Sequence, residues 1–192
     1  MLIEHQVAPA GSAVFVEQDA VNSFKQGNSA MLPVWWWVRS QLTDPEQSTV
    51  TPEQLGFAAL PTVGGAERTT FTNTWIFGVT EGADNPEAAV EYLGWLTDPS
   101  LERDVLLDPE LNELVAVHLS NMRDPEVNAR WGGIHAAAAD ALETAEGIEF
   151  SDDWLRIVEV LETAISSLAS GEQTDVQAAL DAAAEEIARI RG

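Results

Sequence analysis

Three tryptophans stand side by side at Trp35, Trp36 and Trp37, and no packed fold can turn all three toward one core. Neighbouring side chains on an extended segment point to opposite sides. At least one of these indoles must therefore reach a surface or line a cavity, which is a first hint of a ligand. The approach to the triplet is also constrained. Phe24-Lys25-Gln26-Gly27 reads as the end of a helix, with Gly27 just past the C-cap, where a left-handed backbone costs glycine nothing. Ala30 to Leu32 is too short for a helix and Pro33 cannot donate to a ladder, so a brief strand running into a loop is expected.

At 192 residues, nearly half of them hydrophobic, the chain can build one ordinary domain with a real core. Its formal charge of −23, with Lys25 the only lysine, is the extreme feature. Such a surface repels phosphates and anionic lipids, so nucleic acid is excluded as a partner. Self-repulsion on this scale weakens the fold where it is least screened. The urea midpoint is therefore expected to rise between dilute buffer and molar KCl, and a flat midpoint would count against the idea. With no cysteine, neither a disulfide, a zinc thiolate site nor a cysteine nucleophile is available. The opening Met1-Leu2-Ile3-Glu4-His5-Gln6 lacks the basic start and apolar run of a signal peptide. No segment has the length of apolar sequence a transmembrane helix needs.

Along the chain, Glu17 to Gln26 is a helix candidate with Val21 and Phe24 on its inner face. Val38 to Leu42 reads as a further helical turn. Asp44-Pro45, Thr51-Pro52, Asn85-Pro86, Asp98-Pro99, Asp108-Pro109 and Asp124-Pro125 are cap-plus-proline punctuation between helices. Leu55 to Leu60 reads as a buried strand, Thr62 to Arg68 as a turn, and Thr69 to Val79 as a strand interrupted at Asn73. The helix after Asn85 is expected to bury Ala89, Tyr92, Leu93 and Leu96. From Asp124 onward everything reads as helical, with a break near Gly132-Gly133. A long helix follows Ser151-Asp152-Asp153, its inner stripe Trp154, Ile157, Val158, Leu161, Ile165 and Leu168, ending at Gly171. Thr174 with Gln177 reads as a capping box for the last helix, whose stripe is Val176, Leu180, Ala183, Ile187 and Ile190. These last two read as an antiparallel pair. No linker-like stretch divides the chain, so residues 1–192 are expected to form a single unit.

His5, His118 and His135 lie in separate segments without metal-ligand spacing, and neither a nucleophile elbow nor a phosphate-cradling glycine loop is present. The carboxylates are too many for any pair to signal a glycosidase. No enzymatic activity and no cofactor is expected. The tryptophans carry what chemistry there is. Trp95 beside Leu96 reads as core and Trp131 stays undecided, whereas Trp75, Trp154 and the triplet are placed to show a face to a ligand. An indole offers a flat apolar platform to the C–H side of a sugar ring, while nearby amides such as Asn73 bond its hydroxyls.

Phe24-x-x-Gly27-x-x-Ala30-Met31 with the following tryptophans resembles a signature of the family 1 extracellular solute-binding proteins, the maltose-binding type that serves ABC sugar importers. Gly56-Phe57-Ala58-Ala59-Leu60-Pro61, Trp75 to Val79, Asn85 to Leu93 with Leu96-Thr97-Asp98-Pro99, and Leu168-Ala169-Ser170-Gly171 with Ala179, Leu180 and Ala183 are similar to further family segments in the same order. Thr72-Asn73-Thr74 departs from the family's glycine-rich lead into Trp75. The resemblance implies an α/β, helix-rich, periplasmic-binding-protein type II-like fold, of which 1–192 is the C-terminal lobe and crossover segments, the N-terminal lobe being absent. It implies an extracellular or periplasmic location, membrane-anchored in the full-length protein, with ABC permease subunits as partners.

The expected function is thus reversible capture of a sugar or oligosaccharide in an inter-lobe cleft for delivery to a permease, with Trp35, Trp36, Trp37, Asn73, Trp75 and Trp154 at the ligand. The alternative is an acidic helical protein-interaction domain with a tryptophan-lined surface. A carboxylate-pair glycosidase ranks last.

Overall fold

A computed structural model describes residues 5, 7–9, 11–62, 70–111, 114–147 and 151–192. In chain order the regular elements are α1 (Glu17–Lys25), α2 (Arg39–Thr43), β1 (Thr70–Thr72), α3 (Pro86–Leu96), α4 (Pro99–Leu107), α5 (Leu119–Met122), α6 (Pro125–Trp131), α7 (Ile134–Leu142), β2 (Ala145–Gly147), α8 (Trp154–Ser170) and α9 (Val176–Arg191). Single 3-10 turns occupy Ser12–Val14, Trp36–Val38 and Pro52–Gln54. Among the described residues the chain is helix-rich with one small parallel sheet, an arrangement compatible with part of a periplasmic-binding-protein fold.

Local chemistry sets most helix boundaries. Asn85, Asp98 and Asp124 each accept a backbone N–H of the first turn through the side chain, and a proline follows each at the position where a missing N–H costs nothing. At the end of α1, Gly27 takes φ 74°. Its N–H donates to the Phe24 carbonyl at 2.8 Å and that of Asn28 to the Ser23 carbonyl at 3.0 Å, the paired bonds of a Schellman stop.

Other expectations need correction. Asp44-Pro45 and Asp108-Pro109 each begin only a turn, although both aspartates do accept the N–H two residues on. Thr174 does not cap the last helix. Asp175 does, accepting from the Ala178 N–H at 3.0 Å, and the Thr174 N–H is taken by Gln173. Ala30 to Leu32 and Leu55 to Leu60 join no ladder among the described residues, and Leu60 lies open to solvent. In 55–60 exposure alternates residue by residue, so the apolar run serves one half-buried side and not a buried strand. Within the described residues 70–79 only Thr70–Thr72 is strand, and Asn73 does mark its end. The all-helical reading after Asp124 missed β2, which pairs in parallel with β1: Thr70 with Ala145, Phe71 with Glu146, Thr72 with Gly147. The turn expected at 62–68 lies almost wholly outside the described residues.

The chain groups into two compact units, 1–32 with 149–192, and 33–148, where an undivided body was expected; neither boundary carries linker composition. In the first unit α8 and α9 pack on each other, and the Ser12–Val14 turn packs on α8. Ile157 and Ala183 are their buried positions. Leu161, Ile165, Val176 and Leu180 of the expected stripes are exposed, while Val160, Ala164 and Ala179 line the groove along the pair. A groove of about 540 Å³ runs along this pair and touches none of the tryptophans.

The second unit has its core in Leu106, Ala116, Met122, Val127, Trp131, Ile134 and Ala139, with Trp36, Phe57, Leu107 and Leu142 packed on it. By contrast α3 buries nothing fully. Tyr92 and Leu96, expected inside, are exposed, and so is Trp95, expected in the core yet 57% exposed and resting 5.7 Å from the Tyr92 ring. The stretch Trp75-Ile76-Phe77 is likewise open, Trp75 at 93%.

Candidate ligand-binding site

The tryptophan triplet divides between inside and outside, through a change of winding and not through strand alternation. Trp35 is extended and then the chain winds into the 3-10 turn Trp36–Val38, so Trp36 goes inward to the core while Trp35 (37% exposed) and Trp37 (47%) stay outside. Trp35 stands edge-on to Phe71, ring centroids 5.3 Å apart at 67°. Phe71 is the middle residue of β1, held by its pairing with Glu146. Together they form a partly exposed aromatic surface, with an exposed strand residue as its second member.

On the inner side Trp36 and Trp37 join Arg39, Ser40, Val115, Trp131 and His135 around a tight crevice. Three local devices hold its walls. Asn128 donates to the carbonyls of Met122 and Asp124 at 2.7 and 2.9 Å and accepts from the Ala136 N–H at 2.8 Å. That bridge closes the corner in which Gly132 and Gly133 take φ 69° and 82°, a corner that side chains would strain. It sets α7 so that His135 faces Trp131, centroids 5.4 Å apart. Glu102 accepts the N–H groups of Val117 and His118 at 2.8 and 3.3 Å and the Asn121 amide at 2.6 Å, fixing the segment that carries Val115. Trp131 itself donates its indole N–H to the Leu106 carbonyl at 2.8 Å.

The electrostatics are unusual for so acidic a chain. The guanidinium carbons of Arg39 and Arg130 lie 5.1 and 5.2 Å from the Trp131 ring centroid, within cation–π range. Arg130 also donates to the Leu106 and Leu111 carbonyls, the latter at 2.8 Å. Burial first, and the neighbouring Arg130 charge second, hold Arg39 below the usual arginine range. His135 is wholly buried, and neither ring nitrogen has a hydrogen-bond partner. Burial, then the charge of Arg39, pushes it down to about 4 against a smaller opposite pull from Glu102.

The other expected site residues are Asn73, Trp75 and Trp154. Asn73 turns on itself, its side chain accepting the Thr74 N–H at 2.9 Å, and Trp75 projects from the open segment behind it. Trp154 begins α8 in the first unit. Phe71, Arg39 and His135 were not singled out by sequence, and Trp131 was left open. The Trp131–His135 spacing of four residues was the one available signal, and the glycine pair between them obscured it. Among the described residues no group of three His, Cys, Asp or Glu is arranged to hold a metal ion.

A family model for bacterial extracellular solute-binding proteins matches residues 1–101, just over half of the chain, and the chain belongs to that family. The matched part contains the tryptophan triplet and the segments around Trp75 and Asn85, whereas the similarity noted at Leu168 to Ala183 lies beyond it. The chain is also 25% identical over 121 residues to the probable amino-acid ABC transporter periplasmic-binding protein y4oP of Sinorhizobium fredii (strain NBRC 101917 / NGR234). That match takes in 63% of this chain and 26% of the relative, so the chain spans about a quarter of that protein. No helix among the described residues is long and apolar enough to cross a membrane.

Proposed function

We propose that the chain is part of the substrate-binding component of an ABC importer, acting outside the cytoplasm without bond chemistry. It corresponds in this reading to the C-terminal lobe and crossover segments of a two-lobed protein. The solute is a sugar or oligosaccharide, held reversibly and passed to the permease subunits. The observation that carries the sugar reading is the Trp35–Phe71 pair with Trp37 beside the crevice. Flat, half-open rings of this kind suit the apolar face of a pyranose and cost little ordering entropy to present. The name of the Sinorhizobium relative points to amino acids for that protein, so both solute classes belong in the test.

Tryptophan fluorescence titrated with mono- and oligosaccharides and with amino acids is expected to respond to sugars. Trp35→Ala is expected to weaken the response by about tenfold, the worth of one good stacking contact. A response to amino acids alone would overturn the sugar assignment. A second reading, an acidic interaction domain, is favoured by the open Trp75-Ile76-Phe77 stretch and the bare face of α3. Silence across both solute classes, from a sample shown to be folded, would select it.

A further inference from the structure

Glu146 is the middle residue of β2, as Phe71 is of β1, and the two are ladder partners. Partners in a ladder turn their side chains to the same face of the sheet, and neighbouring strands run about 4.8 Å apart. Exposure agrees with that alternation. Phe71 and Glu146 are open to solvent, whereas Thr70, Thr72 and Ala145 are half-buried. The Glu146 carboxylate therefore stands at the rim of the aromatic surface formed by Trp35 and Phe71. Many carboxylates of so acidic a chain simply face water. What gives Glu146 a role is its neighbour, because glutamate is a poor strand former and a phenylalanine across the ladder does nothing for its charge.

The two rings form a corner and not one plane, since Trp35 meets Phe71 at 67°. A sugar ring lies flat on one of them, and the corner presents aromatic surface to whatever substituent points inward. Ring faces carry the negative side of the aromatic quadrupole and attract cations. Glu146 adds a full negative charge on the same face of the sheet. The net charge of −23 draws cations toward the chain and repels anions before contact is made. Among the described residues no cation of the protein fills the corner, for the guanidiniums of Arg39 and Arg130 both lie over Trp131. Unlike the inner crevice, this surface opens directly to solvent.

We infer that the Trp35–Phe71 corner, with Glu146 at its rim, seats a protonated amine of the bound solute, which makes that solute an amino sugar and not a neutral one. The choice of a sugar rests on the solute-binding reading above; the ammonium seat does not. The indole supplies the platform for the sugar ring, the corner supplies the cation–π contact, and Glu146 reads the charge.

The test uses the whole chain with glucosamine, glucose and methylammonium as probes, at about pH 6, where an amine of this kind is protonated. It is read by tryptophan fluorescence and by the NMR resonance of the Trp35 indole N–H. Glucosamine is expected to bind about tenfold more tightly than glucose and to shift the Trp35 resonance, the joint worth of an exposed ion pair and a cation–π contact. Glu146→Gln should remove most of that margin, and Glu87→Gln, the same change of charge on the bare helix α3, should leave it intact. Should the Glu146 variant fail to fold, the wild-type comparison of the two sugars decides. A margin that survives Glu146→Gln, or that Glu87→Gln lowers equally, belongs to the general field of the chain and overturns the seat. Equal binding of the two sugars overturns the seat and leaves the sugar reading standing. A Trp35 shift with methylammonium while neither sugar binds supports the seat and overturns the sugar reading. A resonance unmoved by all three probes overturns the inference.

Discussion

Trp131→Ala is expected to cost the second unit about 4 kcal/mol, the range for removing a large buried aromatic side chain. The indole is buried in the cluster of Leu106, Met122, Val127 and Ile134. Three kinds of contact go with it. The apolar area is the largest, the Nε1–H bond to Leu106 is second, and the two guanidiniums over the ring are third. The hydrogen bond alone is a minor part, because Leu106 also accepts from Arg130 and is not left bare. Trp131→Phe, which keeps a ring and loses the donor, should therefore cost roughly half as much or less. Urea unfolding followed by far-UV circular dichroism, with hydrogen exchange at Val127 and Ile134 to localise the loss, measures both. A loss below about 1 kcal/mol for the alanine variant would mean that the core is not built on this residue.

The second large effect is on pH dependence and comes from His135. In the unfolded chain this histidine takes a proton near its ordinary 6.5; folded, it does not until about 4. As pH falls between those values the unfolded state binds the proton and the native state does not, so stability is lost. The contribution is complete above the unfolded value and has gone below the folded one. Over the whole window it amounts to about 3 kcal/mol. Protonating carboxylates meanwhile relieves the chain's self-repulsion, which works in the opposite direction. The comparison with His135→Phe separates the two, since that variant keeps a buried ring and cannot titrate. Urea midpoints from about pH 7 to about pH 5 should fall more steeply for the wild type than for the variant. Parallel slopes would sink the assignment. Removing two unmet buried nitrogens should also make the phenylalanine variant the more stable protein at neutral pH.

Much of the helical layout was legible, because caps and stops act within a few residues. Asn85, Asp98 and Asp124 mark helix starts through bonds that their own side chains make, and Gly27 and Gly171 mark helix ends through left-handed backbone angles that the lack of a side chain permits. The same locality explains the outward turn of Trp35 and Trp37. What failed depends on partners distant in the chain. Periodicity in α3 shows that Tyr92 and Leu96 share a side with apolar neighbours, but not whether anything covers that side, and within the described residues little does. Ala145-Glu146-Gly147 has no strand propensity and becomes β2 only because β1 comes to lie beside it. The site was half legible for the same reason. The indoles announce themselves, whereas Arg39 and His135 acquire meaning only when Trp131 brings them together across a long stretch of sequence. His135 carries no metal-ligand spacing in the sequence, and its burial beside a cation is what distinguishes it.

The pairing of β1 with β2 has a kinetic side. A parallel ladder three residues long ties Thr70 to Ala145, with α3 through α7 in the loop between them. Loop closure over such a span is entropically unfavourable and few bonds repay it, so the ladder forms late in folding and parts early. Phe71 is its central residue, and Trp35 leans on Phe71. The aromatic platform is therefore among the last features to become ordered as the chain matures.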